Sequence, residues 1–281
     1  MKKIIPNVIL ILLFLFVAGI FIYDHIILKK SFEDNLLKMV LVVASLIISL
    51  IRINKKDPER PLWVYEKIYK DNLENVFLND KISRRKLLSG IKLFDEEKYS
   101  KAKDSFEKLL AKCKENEDYS AVCFFIGVCY ERLGLEEDAV EYYERAIEYN
   151  PQNISAYNNA ASYYQGKGDV EKAIAYYLKA IGIDREYVKG YSNLSNCYLN
   201  LGDYVNAEFY AKKALEIEPK FKYPALNLAV VYALEGDLEK RKKYTSIAVK
   251  NGYSIGDVEA TIYYYKSLDL IDESEYEDFE E

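Results

Sequence analysis

Apolar residues are distributed along this 281-residue chain in three different ways. From Ile4 to Tyr23 they run on with no formal charge, and a second apolar stretch covers Leu36 to Ile53. A helix of about 20 residues spans roughly 30 Å, the thickness of a bilayer's hydrocarbon core. The pattern therefore predicts two transmembrane helices, over about 4–28 and 36–53. Lys38 and Arg52 lie near the ends of the second, where they can snorkel to the headgroups. The short link from Lys29 to Asn35 predicts a helical hairpin. Lys2, Lys3, Arg52, Lys55, Lys56 and Arg60 flank its outer ends, against Lys29, Lys30 and Lys38 on the loop side. The positive-inside bias places both termini in the cytoplasm. A cleavable signal peptide is the competing reading, but the first apolar run is long for one and Val17-Ala18-Gly19-Ile20 is a poor cleavage site.

The second pattern occupies a linker, 54–82. Pro58 and Pro61 break its start, and Leu62, Tyr65, Ile68, Tyr69, Leu73, Val76 and Phe77 then recur at helical spacing. This predicts an amphipathic helix packed on the C-terminal part of the chain or against the membrane.

The third pattern is periodic. From Ser83 small residues recur in columns: Gly90, Gly127, Ala161, Ser195, Ala229; Ala102, Ala139, Ala173, Ala207; Ala146, Ala180, Ala214, Ala248. Tyr130, Tyr164, Tyr198 and Tyr232 share the same 34-residue period, as do Gly134, Gly168, Gly202 and Gly236. Asp169, Asp203 and Asp237 each follow a glycine and are expected to N-cap the next helix. Small residues allow helices to approach, the tyrosines fill the gap between pairs, and the glycine turns the chain. One such pair cannot bury its apolar face, so pairs must stack into a solenoid.

The period and the order G/A, Y, G, A, Y, A, P resemble the tetratricopeptide repeat. The resemblance covers 83–255, as repeats at 83–116, 120–153, 154–187, 188–221 and 222–255, and implies an all-α helix-turn-helix solenoid. The first repeat departs from it with Glu97 in the glycine column, and the last with Arg241 in an alanine column. Residues 256–270 are expected to form a capping helix, followed by an acidic tail, 271–281, expected to be solvated and frayed.

In proteins similar to this the first helix of each pair lines a concave groove that binds peptides or helices. On that helix Asn159, Asn193 and Asn227 recur, and a stacked array would set them as a ladder whose amides could pair with a partner's backbone. Helical spacing adds Phe125 and Val128 as an apolar early end, Ser162, Lys189, Asn196 and Asn200 as a polar middle, and Tyr223 and Val230 as an apolar late end. The expected partner is a protein or peptide.

Composition narrows the function classes. A net charge of −6 argues against a nucleic-acid footprint. Cys113, Cys123, Cys129 and Cys197 form no C-x-x-C pair, and the only histidine is His25, at a membrane boundary. No nucleophile–base pair, phosphate loop or metal-ligand spacing is present, so no enzyme, cofactor or metal is expected. The leading expectation is a scaffold tethered to the cell membrane with its repeats in the cytoplasm. An extracytoplasmic factor for envelope assembly or secretion is the alternative, and homo-oligomerisation through the early groove or the hairpin stays open.

Overall fold

The computed structural model describes residues 62–277, which are helical throughout apart from their connections. The two expected transmembrane helices, 4–28 and 36–53, lie outside the described residues. Among the described residues no helix is long and apolar enough to cross a membrane.

Five helix pairs follow one another: α3 (Lys81–Asp95) with α4 (Tyr99–Leu110), α5 (Asn116–Arg132) with α6 (Glu136–Tyr149), α7 (Ile154–Gly166) with α8 (Val170–Ile183), α9 (Val188–Asn200) with α10 (Tyr204–Ile217), and α11 (Lys222–Leu234) with α12 (Leu238–Lys250). Two short helices, α1 (Leu62–Ile68) and α2 (Lys70–Leu73), precede them, and α13 (Ile255–Glu277) closes the array. Each helix packs on its pair partner, and the second helix of each pair packs on the first helix that follows it, as a solenoid requires.

The turns form as the periodicity predicts. Gly168, Gly202 and Gly236 have φ of 82°, 71° and 75°, the left-handed region where a β-carbon is costly. Asp169, Asp203 and Asp237 then accept from the backbone N–H groups of Lys172, Asn206 and Lys240 at 3.0–3.1 Å. Glu97 takes the same left-handed geometry, at φ 59°, so the first repeat keeps the turn without its glycine, at a cost of about 1–2 kcal/mol.

The small-residue columns are helix crossings. Gly127 lies against α6 so closely that an added Cβ would stand 2.7 Å from Tyr143 Cε1 and 3.0 Å from the Ala139 carbonyl oxygen. Gly127→Ala is therefore expected to destabilise the protein by about 1–3 kcal/mol through overpacking. Gly182 in α8 has nothing within 4 Å of its added Cβ, so the same change there should stabilise by about 0.4–1 kcal/mol. Denaturant unfolding of both variants checks the opposite signs.

Column tyrosines stack on tyrosines of the second helix in their own pair: Tyr130 on Tyr142, Tyr164 on Tyr176, Tyr198 on Tyr210 and Tyr232 on Tyr244, at 5.4–5.7 Å between centroids. Tyr164 and Tyr232 also donate, each at 2.6 Å, to Glu144 and Glu208 of the preceding repeat, so the rings bridge the gap they were expected to fill. All four cysteines are buried and unpaired, and burial pushes each thiol up to about 11 or 12. Such thiols pack and do not react at neutral pH.

Two boundaries differ from expectation. The single amphipathic helix expected in the linker is broken at Tyr69, whose φ of −106° and ψ of 29° are not helical. It ends at Leu73, ahead of Asn75 and Phe77 with φ of 62° and 47°. Its apolar face nonetheless packs on the array, burying Tyr65, Leu73, Val76 and Phe77. The Phe77 N–H donates at 2.7 Å to the buried Asp118 carboxylate, which also accepts from Lys114 and Glu115. At the other end α13 runs past 270 to Glu277, because no glycine or proline follows Gly256 to stop it.

Candidate partner-binding groove

The groove face is built from the first helices of successive pairs, α3, α5, α7, α9 and α11, of which α3 touches α5 and α9 touches α11. The structure divides the sequence-marked residues into three groups. Ser162, Lys189, Asn200 and Tyr223 are exposed. Asn159, Asn193, Asn196 and Val128 are half-buried. Phe125, Asn227 and Val230 are core residues, only 2%, 6% and 0% exposed.

The last group corrects the expectation. Phe125 faces the preceding pair, stacked on Phe106 at 5.5 Å and edge-on to Tyr69 at 5.4 Å, so the early end of the groove has no apolar lining from it. Val230 is sealed in a cluster with Val258 and Ile262 of α13. Asn227 turns inward, its amide donating to Ser195 Oγ at 3.1 Å and to the Ser192 carbonyl at 3.4 Å.

The other two rungs face tyrosines of the preceding pair. Asn159 lies beside the Tyr143 hydroxyl and Asn193 beside that of Tyr177. The Asn193 amide also donates to Asn158 Oδ1 at 3.1 Å, and the Asn158 amide to Asn159 Oδ1 at 3.2 Å. The ladder is thus two linked rungs on α7 and α9, with a third amide folded into the core.

Between the second and third pairs a cleft of about 310 Å³ opens on these residues. Glu131, Glu136, Tyr143, Asn159, Ser162, Tyr163 and Lys167 line it. Tyr143 closes its floor, 1% exposed and donating to Glu131 at 2.5 Å; burial, then the Glu131 charge, raises its hydroxyl well above the ordinary tyrosine value. Lys167 at the rim bonds Glu137 at 2.9 Å and Glu136 at 3.1 Å, and both raise its pKa. Charges of both signs at the rim and amide and hydroxyl groups within suit a polar chain segment. A smaller polar cavity of about 90 Å³ lies beside α2, lined by Ser120, Asn150, Asn153 and Ser155 among others.

Sequence reasoning missed Glu131, Tyr163 and Lys167. Glu131 follows Val128 by three residues and Tyr163 follows Asn159 by four, so the amphipathic face could have been extended to them. Lys167, at the C-cap five residues past Ser162, falls outside that spacing. It also missed Tyr265, which binds Asn196 and Asn200 from α13, and no repeat signal reaches that helix.

Comparison with known proteins fits this architecture. Models of the tetratricopeptide repeat match residues 120–153, 154–187 and 188–221. The photosystem I assembly protein Ycf3 of Rippkaea orientalis is 29% identical over 138 residues, which is 49% of this chain and 66% of that protein, a little under two thirds. Ycf3 of Synechococcus sp. strain CC9605 is 26% identical over 143 residues, covering 50% of this chain and 69% of that protein. Among solved structures, MamA superposes with a TM-score of 0.52 at 22% identity, over 58% of this chain and 93% of that one. A tetratricopeptide repeat protein of Parabacteroides merdae gives 0.57 at 20% identity, over 70% and 78%. The likeness to these structures is one of fold. With five stacked helix pairs in a 34-residue register, and repeat models matching the central three in that same register, residues 120–221 are three tetratricopeptide repeats.

Proposed function

We propose that this protein is a membrane-tethered scaffold that holds a segment of a partner protein in the groove between its second and fourth helix pairs. The observation that carries the reading is the cleft on α5 and α7, where Asn159 and Ser162 meet Glu131 and Lys167 in a recess of about 310 Å³. The groups around it bind by hydrogen bonding and charge, and the linked asparagines Asn158, Asn159 and Asn193 continue the polar strip onto α9. The match to Ycf3, an assembly protein by name, supports a role in bringing proteins together. The tether is supported by the two uncharged or nearly uncharged stretches at 4–23 and 36–53.

Crosslinking capture on carbonate-washed membranes tests both halves together. The full chain should stay in the washed pellet, and a partner crosslinked to wild type should be lost at least tenfold in Ser162→Arg, with thermal unfolding unchanged. Release by carbonate would overturn the integral tether. Equal capture by both proteins would move the partner off this cleft.

A further inference from the structure

A helix in the place of a sixth repeat would rest on the fifth pair alone. The terminal helix α13 does something else. It packs chiefly on α11 and only lightly on α12. Val258 and Ile262, 0% and 3% exposed, close over Val230 of α11. One turn further on α13 reaches back to the fourth pair, where the Tyr265 hydroxyl donates to Asn200 Oδ1 at 2.6 Å and accepts from the Asn196 amide at 3.5 Å. Asn196 Oδ1 in turn accepts from Gln165 of α7 at 2.6 Å. The helix therefore lies across the groove face, on residues whose position in the repeat marks them for a ligand.

Its contacts have a simple pattern. Val258, Ile262 and Tyr265 are spaced four and three residues apart, one face of a helix. Tyr263 and Tyr264 point away, 76% and 57% exposed. Arg241, which stands in a column filled by alanine in the earlier repeats, ion-pairs with Glu259 at 2.5 Å. The last repeat thus departs from its own pattern where it grips α13. A turn through Gly252, at φ 106°, connects the helix to α12, and most side chains from Ile255 to Leu268 are exposed. Elements with so little buried area open first.

We infer that the face of α9 and α11 is a site for an amphipathic helix bearing two aliphatic side chains four apart and a tyrosine three further on. Its resident occupant is α13, and a partner helix of the same pattern binds by displacing it. The inference rests on the reading of the groove as a partner site, carries it from α9 of the fourth pair onto α11 of the fifth, and adds the form of the ligand there.

The test uses the full chain in detergent and a fluorescent peptide of residues 254–272 as the probe. Ile262→Asp with Tyr265→Ala loosens α13 without touching the groove. That variant should bind the peptide at least tenfold more tightly than wild type, read by fluorescence polarisation. Equal affinity, or no binding to the variant, overturns the inference. Should the variant lose cooperative unfolding, hydrogen exchange on wild type decides. Added peptide should speed exchange of the 255–268 amides, and unchanged protection overturns displacement. A wild-type dimer that becomes monomeric in the variant would assign the place to a second copy's α13 and likewise overturn it. Loss of peptide exchange with capture at the Ser162 cleft intact removes this inference alone, whereas loss of that capture removes the wider reading.

Discussion

Phe125→Ala is expected to destabilise the protein by about 3–5 kcal/mol, the range for deleting a buried aromatic side chain. Its position in the repeat marks Phe125 as a groove residue, and a groove residue would be removed at little cost to stability. The structure places it 2% exposed, between Phe106, Tyr69 and Phe124, with ring centroids 5.3–5.5 Å away. Truncation leaves a cavity where the α1 and α2 cap and the first two pairs meet, because those rings cannot close in without moving the backbone. The effect should be local. Solenoid helices touch only their neighbours, so hydrogen exchange should accelerate over α1 to α6 and stay near wild type over α9 to α12. Denaturant unfolding read together with exchange checks both parts. A loss below about 1 kcal/mol would return Phe125 to the surface of the groove.

The periodic features were legible in the sequence because each is fixed by local chemistry. A glycine that turns the chain, an aspartate that caps the next helix and a tyrosine that recurs in the gap between pairs require only the 34-residue register to be seen. The cleft was legible in part: Asn159 and Ser162 were marked, and Glu131 and Lys167 were not. Burial along the groove face was not legible, since it depends on what the preceding pair presents. Asn159 and Asn193 meet Tyr143 and Tyr177, which fill the space below them. In the same column the fourth pair has Ala211, fully buried and small, and Asn227 turns into the room it leaves. Three identical residues in one column thus have two fates. Val230 shows the other limit, because it is covered by a helix outside the repeats whose register against the array no period records.

Asn227 also gives a sharp test of that difference. Asn227→Asp keeps the shape but replaces the donor facing the Ser192 carbonyl, 3.4 Å away, with an acceptor that ionises. The site is 6% exposed, so the charged form is largely cut off from water. At pH 7 the variant should lose at least about 3 kcal/mol. Asn200→Asp, on an exposed residue whose Oδ1 already accepts from Tyr265, should change stability by no more than about 0.5 kcal/mol. The pH dependence has a definite sign. Burial raises the folded-state pKa of the new carboxyl above its unfolded value of about 3.9. Between the two values the folded state holds the proton that the unfolded state has released, so stability relative to wild type falls as pH rises. Below about 3.9 both states are protonated, and only the small cost of a rearranged hydrogen bond remains. Above the folded pKa the deficit levels off. Denaturant unfolding of variant and wild type from pH 4.5 to 8 should show that widening gap. A gap that stays flat and small would mean the carboxylate reaches water, which would put Asn227 back in line with Asn159 and Asn193 as a third rung open to a partner.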